Sequence, residues 1–469
     1  MNENSCDNKN QKPRFRYIFR GFCAVTLLAV ALSMFLIVWI DYVSMDNHTG
    51  YLLGLGNMGL AAVIYVILFV VFGKFFRAFS IGVERKTKQI VSMALTCILS
   101  DFFEILVSST IQNNFRYVLS FAWRYAILSI CQSILLGLII IMMNNLYRQW
   151  VHPLPITLIY GDHKNDIEDK LACLPHKYRL VKRIKYNDAS VVLDDIISNS
   201  SNVLINDVPA QIENKIIKLC FDKDIRVYVV PKLADIILKA SDSINIIDTP
   251  LYLSRNLNMS LGQRFVKRTF DIFVSFFALL ILSPIILITA IAIKVEDGGP
   301  VFFRQERVTK NGKHFMILKF RSMIVNAESD GRPHPAGEKD SRITKVGRFI
   351  RACRIDELPQ LFNILAGDMS IVGPRPERYE HVIKYTNDIP EFSYREKVKG
   401  GLTGYAQVYG KYNTTALDKL KLDLTYIANY SFLLDLQICF ETFKILFQKE
   451  STEGFNSKRA REMHDAECK

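Results

Sequence analysis

GRFIRACRIDELPQLFNILAGDMSIVGPRP, residues 347–376, is the stretch around which the rest of the chain is organised. Asp356 stands where an N-cap belongs, Pro359 fits a first helical turn, and Gly367 follows as a helix stop. Between them, apolar residues recur at the spacing of one helix face: Leu358, Leu361, Phe362 and Leu365. The pattern predicts a short helix with Asp356 and Glu357 at its N-terminus, where free N–H groups and the helix dipole favour an ionised Asp356.

Cations surround this carboxylate pair in the sequence. Arg348, Arg351 and Arg354 lie just upstream, and Arg375 stands between two prolines that restrict its backbone. Two carboxylates ringed by arginines suit phosphoryl transfer, because arginines hold phosphate, one carboxylate can attack phosphorus and the other can hold a divalent cation. The local pattern equally fits a simpler interpretation, in which Asp356 only caps a helix and the arginines only solvate its face.

The composition indicates membrane segments joined to polar domains. The chain has 469 residues, enough for two or three domains, and half of them are apolar although 22% are charged. Its net charge of +13 fits an anionic partner such as nucleic acid, anionic lipid or a phosphorylated substrate. The nine cysteines are scattered without a CxxC pair, so neither a zinc site nor a disulfide framework is predicted.

Four apolar runs in the first 150 residues predict transmembrane helices. Lys and Arg are concentrated before the first run and between the second and third, which puts everything after Arg148 in the cytoplasm. Asp101 and Glu104 fall within the third run, and we expect them to pack or to face a polar seam rather than to line a transport path. Each run has the roughly 20 residues that a span needs: 17–40, 52–72, 90–111 and 121–143.

Residues 151–258 predict a Rossmann-like α/β domain. The turn after its first strand reads GDHKN instead of GxGxxG, so close approach of the backbone to a pyrophosphate is not supported. A structural or regulatory role is therefore favoured over nucleotide binding. Strand-like runs alternate with helical stretches, as in a parallel sheet: strands at 156–160, 203–205 and 227–230, and helices near 166–174, 190–199 and 211–221.

A further apolar run at 270–295 is interrupted by Ser283 and Pro284. If this run crossed the membrane, the basic C-terminal third would lie outside, against the charge rule. Proline removes a backbone hydrogen bond and bends a helix, and the serine hydroxyl can satisfy the carbonyl that is freed. We therefore expect a re-entrant hairpin that dips into one leaflet and returns, with a plain kinked span as the alternative.

The rest of the chain predicts a small α/β domain and a polar tail at 449–469. Short strands are expected at 300–303 and 315–319, the second ending in KFRSM with Lys319 and Arg321, and a polar loop at 322–342 follows. The glycine-dense stretch 400–410 predicts a loop that leads to Lys411, and Asp423 is expected to open a helical region. An amphipathic pattern at 427–447 could lie on the bilayer surface.

Residues 263–448 closely resemble the bacterial sugar transferase family, the polyprenyl-phosphate hexose-1-phosphate transferases, which are monotopic phosphoglycosyl transferases. The resemblance is carried, in family order, by KRTFDI, LSPIIL, GGPVFFRQERV, KFRSM, RITKVGRFIR, DELPQLFNILAGDMSIVGPRPE, GLTGYAQV and LDLTYI. It implies a membrane protein of mixed fold: four transmembrane helices at 1–150, a Rossmann-like α/β domain at 151–258, and a re-entrant membrane helix with a small α/β catalytic domain at 259–448. This arrangement resembles the large subgroup of the family, which carries an N-terminal membrane and regulatory extension.

The resemblance implies transfer of a sugar-1-phosphate from a UDP-sugar to polyprenyl (undecaprenyl) phosphate with release of UMP, as the first membrane step of exopolysaccharide, capsule, O-antigen or glycan biosynthesis. Mg²⁺ is the expected cofactor. The UDP-sugar and the lipid phosphate are the expected partners, nucleic acid is not, and a homodimer and downstream glycosyltransferases fit the same interpretation. The expected location is the bacterial inner membrane, with several spans and the catalytic domain facing the cytoplasm.

The resemblance also assigns residues. Asp356 matches the family nucleophile, which forms a covalent phosphosugar intermediate, and Glu357 matches the magnesium-binding acid. Asp423 matches a late acid of the site, and Gln407 lies in another matching stretch. The expected phosphate-binding cations are Lys319, Arg321, Arg348, Arg351, Arg375 and Lys411.

Ser283 and Pro284 match the break in the family's re-entrant helix. Three departures bear on the choice of sugar rather than on the reaction class. KGG at 399–401 replaces the usual KPG, CRI precedes the acidic pair where many relatives carry a small hydroxyl residue, and Lys411 replaces an arginine that could clamp phosphate through two parallel bonds. Two other interpretations stay open: a glycosyltransferase that releases UDP, and a non-catalytic membrane scaffold or transporter.

Overall fold

A computed structural model describes most of the chain: residues 13–46, 55–111, 117–161, 167–172, 174–175, 177–187, 202–254, 259–325, 327, 340–410 and 414–446. These residues form two compact units, Met1–Val230 and Pro231–Lys469, with separate hydrophobic cores. The predicted helix at 190–199, most of the predicted loop at 322–342, Lys411 and the predicted tail lie outside the described residues.

Four long apolar helices open the first unit and match the four predicted runs. Phe35 and Tyr65 stack ring on ring inside the bundle at 4.3 Å, whereas Ile37 and Ile67 are exposed on its outside. Lipid tails can cover such an apolar outer face. By length and composition each helix could cross a membrane, as could a fifth helix in the second unit. The four are α1 (Pro13–Asp46), α2 (Leu55–Phe75), α3 (Lys86–Ile111) and α4 (Tyr117–Trp150).

A polar seam follows the buried face of α3. Asp101 and Glu104 are 1% and 0% exposed, and Asp101 accepts a hydrogen bond from Ser129 on α4. The two acids therefore lie inside the bundle, as expected from the sequence. The other buried members of the seam on α3 follow helical spacing: Gln89, Ser92, Thr96, Ser100 and Ser108.

A parallel sheet of four strands completes the first unit, with strand order β2-β1-β3-β4. The fully buried strand β3 pairs with β1 on one side and with β4 on the other. The prediction of a parallel α/β sheet is confirmed. The elements are β1 (Leu154–Tyr160), α5 (Ile167–Ala172), β2 (Tyr178–Lys185), β3 (Asn202–Asn206), α6 (Ala210–Asp222) and β4 (Arg226–Val229).

The edge strand β2 was not predicted, because its sequence YRLVKRIK carries basic residues at half of its positions. An edge strand can expose such side chains, and Val181 in its centre is 62% exposed. Of the predicted turn GDHKN only Gly161 is described. A Cβ atom there would lie 1.8 Å from the backbone oxygen of Asp207, so this turn needs glycine because two backbone segments approach closely.

The second unit begins before the boundary at 258 that the sequence suggests. Ile236 of α7 packs in the same core as Phe315 and Leu424. The segment 231–254 thus packs with the C-terminal unit. It consists of α7 (Leu233–Lys239) and the antiparallel hairpin of β5 (Asp242–Ile246) and β6 (Thr249–Leu253).

A single long helix, α8 (Leu261–Asp297), contains the predicted break. The helix continues through Pro284, which cannot donate to the carbonyl of Leu280, and Ser283 Oγ donates to that oxygen at 2.8 Å instead. The serine thus satisfies the freed carbonyl, as expected. The described residues contain no turn of a hairpin within α8, and whether the helix re-enters one leaflet stays a prediction.

Polar contacts anchor the first half of α8 to the rest of the second unit. Asp271 accepts from Ser370 Oγ at 3.0 Å and from the Ile371 backbone N–H at 2.9 Å. Arg268 donates to the last carbonyl oxygens of a neighbouring helix, those of Ile364 and Leu365, at 2.6 and 2.8 Å. The charged side chains Arg268 and Asp271 in the first half of α8 are therefore bound by other parts of the second unit. The apolar residues of the helix extend into its second half, where most are exposed.

Short elements build the rest of the second unit around an antiparallel pair, β7 and β8, and a parallel pair, β9 and β10. The predicted loop at 400–410 is wrong, because β10 and a one-turn helix occupy it. Asp423 lies in the middle of α13 rather than at its start. The elements are β7 (Phe302–Val308), β8 (His314–Phe320), α9 (Lys345–Ala352), α10 (Gln360–Ala366), β9 (Ser370–Val372), α11 (Tyr379–Asp388), β10 (Gly401–Thr403), α12 (Tyr405–Tyr409), α13 (Ala416–Ala428) and α14 (Phe432–Leu446).

Candidate active site around Asp356 and Glu357

The acidic pair lies in a separate turn between α9 and α10. Arg354 adopts a left-handed backbone with φ 55°, and the 3₁₀ turn Ile355–Glu357 follows it. Pro359 is the N-cap of α10, so the prediction that Asp356 caps this helix is wrong. Gly367 ends α10 with φ 95°, which confirms the predicted stop.

Three cations face the carboxylate of Glu357. Its Oε1 lies 2.8 Å from Arg375 Nη2 and 3.2 Å from Lys319 Nζ, and both groups donate to it. Its Oε2 lies 3.8 Å from Arg354 Nη1. Lys319 comes from the end of β8 and Arg375 from the loop after β9, so three segments of the chain converge on this acid.

This convergence fixes the charge of Glu357. Burial by itself would raise the pKa of its carboxyl group, but the positive charges of Arg375 and Lys319 outweigh burial, and the pKa is lowered. Burial lowers the pKa of Lys319, and the negative charge of Glu357 opposes that effect. Glu357 is therefore an ionised, charge-compensated acid that holds two cations at one point.

Asp356 differs from its neighbour in having no described partner. Among the residues that the structure describes, none donates a hydrogen bond to its carboxylate or pairs with it within 4.0 Å. Burial and the charge of Glu357 raise its pKa, while the charges of Lys319 and Arg351 act in the opposite direction. The sequence-based argument that a helix N-terminus keeps Asp356 ionised therefore does not hold. The nearby cations only partly offset this upward shift of the pKa, and the carboxylate stays open to a ligand.

A buried ion network supports the loop that carries Arg375. Arg395 is 5% exposed, and its Nη2 donates to the backbone oxygen of Arg375 at 2.9 Å and to Asp423 Oδ2 at 2.8 Å. Glu377 pairs with Lys419 and lies 3.5 Å from Arg395 Nη1. Asp423 is thus a supporting residue of the site, linked to Glu357 through Arg395 and Arg375.

Glycines let the same loop pack against β10 with no space for side chains. A Cβ atom on Gly373 would lie 2.4 Å from the backbone oxygen of Lys399, and one on Gly401 would lie 2.1 Å from the backbone nitrogen of Gly373. The glycine-dense sequence near residue 400 therefore serves close packing of two backbones beside Arg375.

The remaining predicted cations are distributed unevenly. Arg351 acts on Asp356 through its charge. Arg321 is buried at the end of α8, where it pairs with Asp297, so it supports the fold there. Arg348 is exposed on α9, and the described contacts do not place it at the acidic pair.

Two groups of the site were missed or left unspecified by the sequence. Arg395 carried no signal of its own, because it lies in a stretch whose polar residues resemble an exposed surface, and Glu377 ended a matching stretch without being given a role. Gln407, predicted from the resemblance, lies on α12 with its side-chain Nε2 buried and unpartnered among the described residues. The described contacts do not place Gln407 at the acidic pair.

Asp356 and Glu357 fit Mg²⁺ only if the phosphates of a bound substrate supply further ligands. Within the described residues, no group of three His, Cys, Asp or Glu side chains could hold a metal ion by itself. Mg²⁺ is commonly held by one or two carboxylates together with substrate phosphates, and Asp356 and Glu357 supply such oxygens. Because Glu357 is already compensated by cations, the fit requires the phosphates of a bound substrate as further ligands.

Comparison with known proteins places this site within one family. The family model described as "Bacterial sugar transferase" matches residues 262–449. A Bacillus subtilis (strain 168) protein named as an uncharacterized sugar transferase is 42% identical over 182 residues, which are 39% of this chain and 87% of that protein.

Two longer relatives carry more specific names. The UDP-N-acetylgalactosamine-undecaprenyl-phosphate N-acetylgalactosaminephosphotransferase of Aeromonas hydrophila is 45% identical over 185 residues, covering 39% of this chain and 44% of the relative. The UDP-glucose:undecaprenyl-phosphate glucose-1-phosphate transferase of Klebsiella pneumoniae is 45% identical over 191 residues, covering 39% of this chain and 41% of that relative. The matched stretch thus spans less than half the length of these two relatives.

Proposed function

The chain belongs to the bacterial sugar transferase family, and on that premise we propose that it transfers a sugar-1-phosphate from a UDP-sugar to undecaprenyl phosphate and releases UMP. The observation that carries the proposal is the contrast within the acidic pair. Glu357 is held by Lys319 and Arg375, whereas the adjacent Asp356 has no partner among the described residues. One acid is thereby available for attack, and the other gathers cations beside it.

In the first step, an Oδ atom of Asp356 attacks the phosphorus that carries the sugar. A bond forms between that oxygen and phosphorus, and the bond from phosphorus to the bridging oxygen breaks, so that UMP leaves with the electron pair. The product is an acyl phosphate that links Asp356 to the sugar.

The cations of the site lower the barrier by offsetting negative charge. An anionic nucleophile must approach an anionic diphosphate, which is unfavourable without positive charge nearby. Lys319 and Arg375 supply this charge in a partly buried site, where the electrostatic attraction is stronger than in water. Arg351 adds positive charge on the side of Asp356.

Mg²⁺ is the proposed cofactor. When bound between Glu357 and the diphosphate, it would neutralise the charge that develops on the departing UMP. The carboxylate of Glu357, which would hold the ion, is the same group that accepts hydrogen bonds from Arg375 and Lys319.

In the second step, a phosphate oxygen of the lipid attacks the same phosphorus and releases the carboxylate of Asp356. The product is a lipid diphosphate that carries the sugar. A covalent intermediate lets a soluble donor and a lipid acceptor use one site in turn, which predicts ping-pong kinetics. The contacts of α8 with β9 and α10 would hold the site at headgroup level, with the site on the cytoplasmic side of the inner membrane.

Nucleotide release tests the proposal directly. Purified full-length chain is incubated with undecaprenyl phosphate and a panel of UDP-sugars, and the nucleotide products are separated and quantified. UMP in a one-to-one ratio with the lipid product is expected for at least one sugar. Release of UDP would instead assign the chain to the glycosyltransferases that move a sugar without its phosphate, and no product with any donor would favour a scaffold.

A further inference from the structure

A basic cavity in the first unit plays no part in this chemistry. Its volume is about 90 Å³, and it lies where the first turns of α1 and the last turn of α4 meet the beginnings of β1 and β2. Its lining includes Arg16, Arg20, Tyr147, His152, Lys177 and Tyr178. Segments far apart in sequence therefore bring three basic side chains, those of Arg16, Arg20 and Lys177, to one small space.

The cations of this cavity are held by neutral groups. Arg20 donates to the backbone oxygen of Ile81 and to Tyr147 Oη, each at 3.1 Å. Arg16 donates to the backbone oxygen of His152, and Lys177 donates to that of Val83. Within the described part of the chain, none of the three lies within 4.0 Å of a carboxylate, so their charges are not compensated at contact distance.

The surroundings make this arrangement unfavourable without an anion. Burial lowers the pKa of the Lys177 amine, the charge of Arg20 lowers it further, and Glu84 opposes both from beyond ion-pair distance. A bound anion would offset the repulsion between the positive charges of Lys177 and Arg20. It would also accept hydrogen bonds from those N–H groups that do not donate to backbone oxygens. Arginine and lysine commonly bind phosphate oxygens in this way.

The volume of the cavity suits a phosphate group. A cavity needs roughly 10–15 Å³ to admit one water molecule, so this cavity has space for a tetrahedral oxyanion. Tyr147 adds a hydroxyl group and Tyr178 an aromatic wall, so the site is not a flat patch of surface lysines. Its donors come from two helices and from the loop before β2.

The position along α1 indicates where such an anion would come from. Arg16 and Arg20 lie in the first turns of a helix whose apolar span begins at Phe15. Cations at the end of a span lie at the level of the lipid headgroups, and basic pockets beside transmembrane helices bind anionic headgroups.

We propose that this cavity binds the phosphate group of an anionic ligand, with an anionic phospholipid as its source. The ligand would connect the bundle to the parallel sheet within the first unit, because its partners belong to both. This proposal is independent of the reaction at Asp356.

The test measures ligand-induced stabilisation of the full chain in a neutral detergent. Phosphatidylglycerol, phosphatidylcholine and inorganic phosphate are titrated separately, and the thermal unfolding temperature is followed. Arg20→Gln combined with Lys177→Gln removes two charges from the cavity. The matched control, Lys215→Gln combined with Lys218→Gln, removes two exposed charges from α6 of the same unit.

Phosphatidylglycerol is expected to raise the unfolding temperature of the wild-type chain and of the control, whereas the cavity variant should need about tenfold more lipid or show no shift. Equal stabilisation by inorganic phosphate would keep the site and identify free phosphate as the ligand. The proposal is overturned if neither anion binds, or if the cavity variant and the control respond alike. If the double variant does not fold, the single variant Lys177→Gln serves the same comparison, since its one described hydrogen bond is to a backbone oxygen.

Discussion

Arg395 links a buried acid to the main chain of a site residue: its Nη2 lies 2.9 Å from the backbone oxygen of Arg375 and donates to it. The same nitrogen donates to Asp423 Oδ2 at 2.8 Å. The position of the Arg375 loop therefore depends on an ion pair that touches neither Asp356 nor Glu357.

We predict that Asp423→Asn impairs the site from a distance. Losing one partner of a buried ion pair costs roughly 3–5 kcal/mol of folding stability when the other charge is left uncompensated, and we expect a smaller loss here because Glu377 still faces Arg395. With Arg395 loosened, Arg375 shifts, and a displacement of about 1 Å can lower the rate about 10²-fold. Asp418→Asn, on the same helix, is the control. Chemical unfolding and initial rates of UMP release are measured, and a stable, fully active Asp423→Asn variant would contradict the role.

Substitution of Asp356 and substitution of Glu357 should affect formation of the covalent adduct differently. Asp356→Asn removes the attacking oxygen, so no covalent adduct should form when the UDP-sugar is added without acceptor. Glu357→Gln keeps the attacking group but releases Lys319 and Arg375, so the adduct should form more slowly by about 10²–10³-fold. Intact-protein mass spectrometry after acid quenching measures the adduct. Adduct formation by Asp356→Asn would remove this residue from the nucleophile role.

The pH profile should report the raised pKa of Asp356. A protonated carboxyl group is not a nucleophile, so kcat/KM should fall as the pH drops through a pKa above the usual value of 3.8. Arg351 lowers that pKa by its charge, and Arg351→Gln should therefore move the acid limb to higher pH. The control is Arg348→Gln, one turn earlier on α9, which should leave the limb in place. Identical limbs in the two variants would mean that Arg351 does not act on Asp356.

Two serines of α8 should respond oppositely to loss of their hydroxyl groups. Ser283→Ala leaves the carbonyl of Leu280 without its donor and should cost about 1 kcal/mol or more. Ser275 is buried with an unpartnered Oγ among the described residues, so Ser275→Ala should be neutral or slightly stabilising. Unfolding of the full chain in mixed micelles measures both. If Ser283→Ala is as stable as the wild-type chain, the hydrogen bond at Pro284 contributes nothing to stability.

Chelation of divalent ions should stop the reaction without loosening the fold. The described residues contain no metal-binding cluster that could stabilise the chain by itself, so EDTA should leave the unfolding temperature unchanged. UMP release should cease and return with added Mg²⁺. A large drop in the unfolding temperature on chelation would point to a structural metal.

Local patterns predicted those parts of the fold that depend on neighbours in sequence. The apolar face of α10 and its stop at Gly367 follow from helical spacing and from the left-handed backbone that glycine adopts. The four long helices follow from apolar length alone. The parallel strands were recognised where their sequences are apolar and missed at β2, an edge strand with basic residues at half of its positions.

The sequence identified several residues of the candidate site but did not predict how they are arranged. Asp356, Glu357, Lys319 and Arg375 were named, but the turn at Arg354 that separates the acids from α10 depends on a left-handed residue that no local rule requires to be arginine. Arg395 was missed because its importance comes from a partner on α13. Such contacts arise from tertiary packing, which single-sequence patterns do not contain.

The polar seam on α3 bears on how the protein is assembled. An acidic side chain at the centre of a lone span costs roughly 2.5–3.5 kcal/mol at insertion, and α3 carries Asp101 and Glu104. Ser129, the donor to Asp101, arrives only with α4. During synthesis α3 should therefore insert poorly into the membrane on its own. The helices α3 and α4 should leave the translocon together as a helical hairpin. A chain whose synthesis halts after α3 and before α4 would then remain exposed to quality control.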